Sequence, residues 1–354
     1  MIFLFLVTDF YDLFNIRFFV ERMSANNKVF LFMLTTPLKG YRILFRKHSR
    51  DLQTMCRFPK SVSTLVGDFD KFHSWTKKNK TDIFFGNASA YMQLCKFNFL
   101  KHKANMGKIC LVTWGFDGTE DKFIGAYEDA DYVIVEGPKF FESCGQSCLS
   151  KYGRKIIFSH PYYDWFAVSR RKRSRANLKI SLKKDVFLIP ETGNIVNVEK
   201  RWLPLYRKVI SEVQNPHRFI LFKGRYKVDD DVVKDGIKSK VDRFVNDEWI
   251  APPLGIQCCM ASDACIMPCE SKFALESLIS KRPTCMYSTR KHKSKYAANR
   301  FSSLFSGIYF LSIDEIITGT YDKTVVDTNY ETLLRDVVVM NEPNNSDYLL
   351  GRIM

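Results

Sequence analysis

The chain has 354 residues, of which 46% are hydrophobic and 14% are aromatic. This composition excludes a disordered protein, and the length allows two domains that each bury a core. The formal net charge is +16, because 54 Lys and Arg outnumber 38 Asp and Glu. Such an excess favours acidic partners: nucleotides, nucleic acid, anionic polymers or an anionic membrane face.

The ten cysteines do not follow a zinc-binding pattern. Three pairs lie close in sequence: Cys144 and Cys148, Cys258 and Cys259, and Cys265 and Cys269. None of these pairs has the CxxC spacing or the nearby His of a zinc site. The sequence therefore predicts no metal and favours free, mostly buried thiols in a reducing compartment.

The N-terminal residues MIFLFLV are apolar, but they do not predict a targeting segment. Asp9 and Asp12 interrupt the run, no cleavage site follows, and seven apolar residues cannot span a bilayer. We interpret 2–8 as a buried strand, 10–23 as a helix and 28–35 as a second strand, which is a βαβ opening. A start at Met23 would remove the first strand and helix.

Strands and helices continue to alternate through the first half of the chain. Further strands are predicted at 81–85, 108–113, 131–136 and 155–159, and helices at 72–80, 88–101 and 138–152. This alternation predicts a mainly parallel sheet that is covered on both faces. The loop WGFDGT, residues 114–119, follows the carboxyl end of a strand, where ligands bind in open α/β sheets.

A basic run, SRRKRSR at 169–175, has no hydrophobic period and divides the chain. We interpret it as a solvated linker between domains; a nuclear-localisation patch and a phosphate-contacting edge are the alternatives. The predicted organisation is therefore an N-terminal acceptor domain, a basic linker, a C-terminal nucleotide-donor domain and a polar tail: 1–168, 169–180, 181–340 and 341–354.

The second half repeats the alternation. Strands are predicted at 185–189, 218–223, 241–244, 264–267, 284–287 and 307–311, and helices at 200–213, 257–261, from 270 or 271, 314–318 and 330–340. Two halves rich in βαβ units predict an α/β protein with two Rossmann-like domains that face each other across a cleft.

The turn between the strand at 264–267 and the next helix is a candidate ligand site. Pro268 ends the strand, and the helix begins near Glu270 or Ser271. The first N–H groups of a helix suit an anion such as a diphosphate, and Glu276 could reach ribose hydroxyls. The alternative is an ordinary strand-turn-helix unit in which Ser271 is a simple N-cap and Glu276 is solvated.

Three strings in this chain resemble motifs of one enzyme group: CESKFALE (269–276) followed by KRP (281–283), SHP (159–161) with Asp164, and LIPET (188–192). They are similar to motifs of the GT-B superfamily branch that contains UDP-N-acetylglucosamine 2-epimerases and CDP-glycerol glycerophosphotransferases. The resemblance implies that Ser271 and the Lys272 backbone hold a nucleotide diphosphate, that Glu276 holds its ribose, and that Thr192 is a further nucleotide-binding position.

The chain also departs from that pattern. The transferases carry a WHGT loop whose His is the expected base, whereas Asp117 is the available substitute here. A carboxylate there could deprotonate an acceptor hydroxyl if partial burial raised its pKa. Arg225 replaces a second family His and could neutralise the leaving diphosphate. His160 in the matched SHP string is the other catalytic candidate, with a packed or loop histidine as the alternative.

The leading hypothesis is a glycosyltransferase-like enzyme that moves a sugar, or another nucleotide-activated group, from a nucleotide diphosphate donor to an acceptor hydroxyl. A UDP-sugar is the expected donor, with no tightly bound cofactor and no metal. The charge suits an anionic glycan or nucleic acid as acceptor, or peripheral membrane contact. The expected location is the cytoplasm, with the nucleus as the alternative. The second hypothesis is a catalytically degenerate relative that binds nucleic acid or an anionic polymer.

Overall fold

The computed structural model divides the chain into two compact units. The first comprises Met1–Asp164 and Asp336–Met354, and the second comprises Trp165–Arg335. The structure describes residues 1–8, 10–34, 58–96, 103, 105–113, 124–143, 155–191, 203–224, 231–245, 252–268, 271, 273–287 and 303–354.

The first unit contains a seven-stranded parallel sheet with the order β3-β2-β1-β4-β5-β6-β7. Its strands are β1 Ile2–Val7, β2 Lys28–Leu34, β3 Val62–Gly67, β4 Ile83–Asn87, β5 Lys108–Val112, β6 Tyr132–Val135 and β7 Ile156–Phe158. The central strands are apolar along their length because helices cover the sheet, which is the pattern of a buried parallel sheet. Phe5 of β1 stacks on Phe85 of β4 with ring centroids 5.1 Å apart.

The helices of the first unit connect or follow these strands: α1 Phe10–Ser24, α2 Phe69–Lys78, α3 Ala88–Lys96, α4 Ile124–Asp129 and α5 Pro138–Ser143. A 3-10 turn, Pro161–Tyr163, follows β7, and the next helix, α6 Asp164–Val168, begins at the last residue of this part of the unit and continues into the second unit. Local chemistry accounts for individual boundaries. Asp68, for example, caps α2 by accepting a hydrogen bond from the Lys71 amide, and Phe72 on the buried face contacts Phe32 of β2.

The second unit contains a five-stranded parallel sheet with the order β10-β9-β8-β11-β12. The strands are β8 Asp185–Pro190, β9 Arg218–Lys223, β10 Arg243–Val245, β11 Ala264–Met267 and β12 Thr284–Met286. The helices are α7 Arg171–Asn177, α8 Leu203–Val213, α9 Asp231–Lys238, α10 Leu254–Ala261, α11 Phe273–Ile279, α12 Ile313–Thr318 and α13 Thr324–Asp336. Tyr206, Val209 and Ile210 of α8 pack into the core with Ile220 and Phe222 of β9.

The basic run at 169–175 is a folded part of the second unit. It supplies most of helix α7, where the sequence predicted a solvated linker. Arg175 is fully buried and donates hydrogen bonds to the Asp263 carboxylate at 2.6 Å and to the Ala261 carbonyl at 2.8 Å. The charge pattern was misleading because a guanidinium can be buried when carbonyl and carboxylate oxygens satisfy its donors.

Sequence periodicity predicted the α/β class and the two Rossmann-like sheets, and both are confirmed. It missed β3, α4, α6 and α9. The strand predicted at 307–311 is reduced to a single bridge between Leu311 and Cys285. The polar segment from 341 contains α14, Asn345–Ile353, which packs against α1 of the first unit. Among the described residues, no helix is both long and apolar enough to cross a bilayer.

Candidate functional site

The carboxyl edge of the second sheet forms the main candidate site. Chain order reverses between β8 and β11, which are neighbours in the sheet although β9 and β10 intervene in sequence. In open α/β sheets, ligands bind outside the carboxyl ends of the strands at such a switch point. The segments after Pro190 and after Met267 therefore border the expected crevice. Ser271 and α11 directly follow the second of these segments.

Ser271 lies immediately before α11 and is half-buried. Its hydroxyl accepts a hydrogen bond from the Phe273 amide at 3.2 Å, and its carbonyl accepts one from the Ala274 amide at 3.1 Å. The hydroxyl thus contacts the amide of Phe273, the first residue of α11, whereas an N-cap side chain accepts from the second or third amide of its helix. The same position places the Ser271 side chain at the carboxyl edge of the sheet.

Glu276 lies in the middle of α11, and its carboxylate points towards α10. A Cβ atom placed on Gly255 would lie 2.4 Å from Glu276 Oε2, so only glycine permits this approach. Gly255 is the second residue of α10. Because α10 leads into the amino end of β11, its own first turn lies towards the carboxyl edge of the sheet. The Glu276 carboxylate is therefore near the expected crevice and near the positive end of the α10 dipole.

The charge of Glu276 also affects neighbouring thiols. The pKa of Cys265 is raised to about 12: burial is the largest cause, the nearby Cys285 and Glu276 also raise it, and a hydrogen bond with the Ser277 hydroxyl opposes the rise. The same carboxylate is among the groups that raise the pKa of Cys259, for which burial is again the largest cause. Glu276 is thus an acidic group that faces the interior of the second unit, whereas the alternative interpretation was a solvated side chain.

Lys223, the last residue of β9, is a site residue that the sequence analysis did not select. Only 8% of its surface is exposed, and its ammonium lies 5.8 Å from the centre of the Phe273 ring. Phe273 is the first residue of α11, so Lys223 brings a buried positive charge to the helix that carries Glu276. The sequence does show a cationic residue at the carboxyl end of an apolar strand, and this feature could have identified Lys223. A polar side chain in such a position needs a structural or functional partner.

Four predicted site residues lie outside the described residues: Asp117, Thr192, Arg225 and Lys272. The described neighbours fix where their segments begin. Thr113 precedes the segment with Asp117 at the carboxyl end of β5, Glu191 precedes Thr192 after β8, and Gly224 precedes Arg225 after β9. Each of the three segments therefore begins at the carboxyl edge of a parallel sheet. Lys272 lies between Ser271 and the start of α11.

His160 is a packed histidine of the first unit. It is 3% exposed, its Nε2 lies 3.3 Å from the Thr113 carbonyl oxygen, and its Nδ1 accepts a hydrogen bond from the Tyr162 amide at 3.3 Å. This pattern corresponds to the neutral tautomer with the proton on Nε2. The geometry favours a positioning role, because His160 holds the residue that precedes the segment carrying Asp117.

The SHP string and Asp164 have a structural function that the sequence did not reveal. The Asp164 carboxylate accepts hydrogen bonds from the amides of Asn345 and Ser346 at 2.8 and 3.0 Å, and from the Ser346 hydroxyl at 2.5 Å. The Ser159 hydroxyl donates to the Asn345 carbonyl at 2.8 Å. Burial raises the pKa of Asp164, and the three hydrogen bonds that its carboxylate accepts from Asn345 and Ser346 partly oppose that rise. The Ser159 and Asp164 side chains thus attach the first turn of α14 to the rest of the first unit.

Among the described residues, no group of three or more His, Cys, Asp or Glu side chains could hold a metal ion. The five cysteines whose side chains the structure describes, Cys110, Cys258, Cys259, Cys265 and Cys285, are buried and form no disulfide with one another. The candidate site in the second unit combines the carboxylate of Glu276, the buried ammonium of Lys223 and the hydroxyl of Ser271. Such a set suits a ligand that presents hydroxyl groups and negative charge.

No protein-family model and no curated protein sequence matches this chain. Solved structures do match over almost its whole length. The wall teichoic acid polymerase TagF matches with a TM-score of 0.68 and 11% identity, over 100% of this chain and 88% of that chain. The UDP-GlcNAc 2-epimerase from Neisseria meningitidis, solved with UDP-GlcNAc, matches with a TM-score of 0.64 and 9% identity, over 100% and 99% of the two chains. The chain has a GT-B fold.

A third solved structure is also similar to this chain over almost its whole length. HepE from Anabaena, solved with UDP and glucose, matches with a TM-score of 0.56 and 10% identity, over 99% of this chain and 98% of that chain. The sequence motifs predicted a resemblance to the branch with UDP-N-acetylglucosamine 2-epimerases and CDP-glycerol glycerophosphotransferases, and these structures confirm it at the level of fold. Each of the two units contains a parallel sheet with a switch point. In open α/β sheets a ligand binds at such a point, outside the carboxyl ends of the strands.

Proposed function

We propose that this protein transfers a sugar, or another nucleotide-activated group, from a nucleotide diphosphate donor to an acceptor hydroxyl. The observation that carries the proposal is the position of Glu276, whose carboxylate lies against Gly255 at the carboxyl edge of the second sheet in a GT-B fold. Because UDP or a UDP-sugar is bound in the solved structures of HepE and the Neisseria epimerase, a UDP-sugar is the preferred donor.

In this proposal the second unit binds the donor. Ser271 and the Lys272 backbone hold the diphosphate, Arg225 and Thr192 add contacts from the segments after β9 and β8, and Glu276 accepts hydrogen bonds from ribose hydroxyls. Lys223 adds a positive charge to the site, because its buried ammonium lies beside Phe273, the first residue of α11. A positive environment would stabilise the negative charge that develops on the departing diphosphate.

The first unit would bind the acceptor. Asp117, in the segment after β5, is the proposed base that removes a proton from the acceptor hydroxyl. His160 positions the start of that segment through its hydrogen bond with Thr113. The described cysteines, which are buried and form no disulfide with one another, support a reducing compartment such as the cytoplasm as the location.

A thermal-unfolding screen against UDP, CDP, GDP and ADP tests the donor site. A nucleotide present at 100 times its Kd would stabilise the fold by about 2.7 kcal/mol through mass action. Glu276→Ala should abolish this stabilisation. The exposed Glu331→Ala on α13 is the matched control and should retain it.

The readout must be the nucleotide-induced shift and not the melting temperature of the free protein. The Glu276 carboxylate lies near the first turn of α10, so its removal also lowers stability without ligand. Absence of a shift with all four nucleotides would refute the donor site. In that event, salt-sensitive binding to nucleic acid or an anionic polymer would favour the degenerate binding protein.

A further inference from the structure

Helix α7 and the segment that follows it carry a dense positive charge. Residues 170–184 contain eight Lys and Arg and neither Asp nor Glu. Arg171 and Arg175 share the Asp263 carboxylate, to which both donate hydrogen bonds. The other six cations are exposed, and none of them forms an ion pair with another described residue: Arg170, Lys172, Arg173, Lys179, Lys183 and Lys184.

The buried Arg175 side chain holds these cations in one folded surface. Its guanidinium donates hydrogen bonds to three carbonyls of the segment 181–184, at 3.1, 3.0 and 3.0 Å. The segment is thus fixed against α7, and its two lysines belong to the same surface as the cations of the helix. Because this backbone is already ordered, binding a partner costs less conformational entropy.

Lys179 adds a cation at a position where glycine is the usual residue. Its φ of 52° lies in the left-handed region. Its amide donates to the Ala176 carbonyl at 3.0 Å, and the Ile180 amide donates to the Arg175 carbonyl at 2.8 Å, which is the Schellman motif of a helix end. An ammonium near the C-terminal end of α7 is favourable, and it places another exposed charge beside the segment 181–184.

This basic surface lies at the amino edge of the second sheet. Lys184 directly precedes β8, and Asp263, which binds Arg175, directly precedes β11. The candidate donor site lies at the opposite edge, because Lys223 ends β9 and Ser271 follows β11. A partner on the basic surface therefore leaves the donor site uncovered.

Two aliphatic side chains are exposed beside the cations. Leu182 is 58% exposed, and Val168, two residues before Arg170, is 47% exposed. Among the large hydrophobic residues that the structure describes, only the C-terminal Met354 is more exposed than Leu182. Cations around an exposed aliphatic side chain suit the interface of an anionic bilayer, where the charges meet lipid head groups and the apolar group reaches the acyl boundary.

The same residues fit nucleic acid less well. Proteins that bind single strands stack the bases on aromatic side chains, and no aromatic residue occurs between Phe166 and Phe187. An exposed leucine gains nothing from a phosphate backbone, whereas a lipid interface removes it from water.

We propose that the surface formed by α7 and residues 179–184 binds a membrane that contains anionic lipids. The exposed cations attract the head groups, and Leu182 enters the boundary between head groups and acyl chains. This binding is peripheral and requires no nucleotide, so it is independent of the proposed function.

Flotation of the full chain with lipid vesicles, without nucleotide, tests the proposal. Vesicles that mix phosphatidylserine with phosphatidylcholine should bind the protein, and vesicles of phosphatidylcholine alone should not. Added NaCl should weaken the binding, because salt screens exposed charges. Lys172→Gln combined with Arg173→Gln should weaken it about ten-fold or more, since each cation near an anionic surface contributes about five-fold.

Two matched controls separate this surface from general effects. Lys77→Gln combined with Lys78→Gln removes the same charge from exposed positions of α2 in the first unit, and it should bind as the parent does. Leu182→Ser should weaken vesicle binding about five-fold, because it removes apolar area but no charge. Met354→Ser, at another exposed hydrophobic residue, should leave binding unchanged.

The proposal is overturned by equal binding to the two kinds of vesicle, by no binding to either at millimolar lipid, or by equal losses in the two double variants. Duplex DNA is the competing probe. If it binds more tightly than the anionic vesicles, and Leu182→Ser leaves that binding unchanged, the surface serves nucleic acid and not a membrane.

Discussion

Gly255 and Glu276 form a contact that only a glycine permits. A Cβ on Gly255 would lie 2.4 Å from Glu276 Oε2 and 3.2 Å from the Phe273 ring. Because Oε2 is at the end of a flexible side chain, Gly255→Ala should move the carboxylate by about 1 Å or more without unfolding the protein. Alanine also has the higher helix propensity, by about 1 kcal/mol, which offsets part of the cost.

Gly255→Ala should therefore abolish or strongly reduce stabilisation by UDP while leaving the melting temperature of the free protein nearly unchanged. Thermal unfolding with and without UDP measures both quantities. Gly351→Ala in α14 is the control, because its Cβ would meet no atom within 4 Å and nucleotide stabilisation should persist. An undiminished UDP shift in Gly255→Ala would mean that the position of the Glu276 carboxylate does not matter for binding.

Arg175→Lys should destabilise the second unit by about 3 kcal/mol. The buried guanidinium donates to the Asp263 carboxylate and also to the carbonyls of Ser181, Leu182 and Lys184. An ammonium cannot reach this many acceptors in the same geometry. Urea unfolding gives the free energies.

The neighbouring Arg173→Lys serves as the control for Arg175→Lys, because Arg173 is exposed on the same helix. Its effect should stay within about 0.5 kcal/mol. Equal effects of the two substitutions would contradict a buried, structural role for Arg175 and restore the interpretation of a solvated basic segment.

Stability should depend on pH through Asp164. Burial raises its folded pKa above the ordinary value of 3.8, and hydrogen bonds from Ser346 and Asn345 partly oppose this. Between 3.8 and the raised pKa, the folded state binds more protons than the unfolded state, so the free energy of unfolding falls as pH rises through this window. Asp164→Asn cannot titrate and should lack this contribution.

Urea unfolding of the parent and of Asp164→Asn, at a series of pH values from below 3.8 to neutrality, measures this effect. The stability of the parent relative to the variant should decrease as the pH rises and then become constant. A relative stability that increases with pH would show that the hydrogen bonds to α14 outweigh burial and lower the pKa of Asp164.

The buried cysteines should resist alkylation in the native protein. Burial raises the pKa of Cys285 to about 12, with smaller contributions from the charges of Glu315, Glu212 and Asp314, and it also raises that of Cys110. Since the thiolate is the reactive form, these groups are protected by both access and charge. Peptide mass spectrometry after iodoacetamide treatment should find both unmodified at pH 8 and fully modified in urea. Rapid native labelling of either one would show that its unit opens locally.

The sequence determined the fold class because local patterns encode it. Apolar runs such as 2–7 and 264–267, each followed by a helical period, can be buried only as strands of a parallel sheet with helices on both faces. The same patterns placed Ser271 and Glu276 after a strand end, and the motifs around them pointed to the fold that solved structures share. Strand β3 was missed because its half-exposed residues give no clear apolar run.

Tertiary structure decided which polar residues act together, because their proximity comes from strand order and helix packing rather than from sequence spacing. Glu276 meets Gly255 across two helices, and Asp12 of α1 meets Asn87 at the end of β4, 75 positions further along the chain. From the sequence alone, Arg175 is expected to be a solvated charge. Its burial is favourable in the structure because the Asp263 carboxylate and four backbone carbonyls accept hydrogen bonds from its guanidinium. Composition predicts how much charge a chain carries, whereas only packing determines where that charge is satisfied.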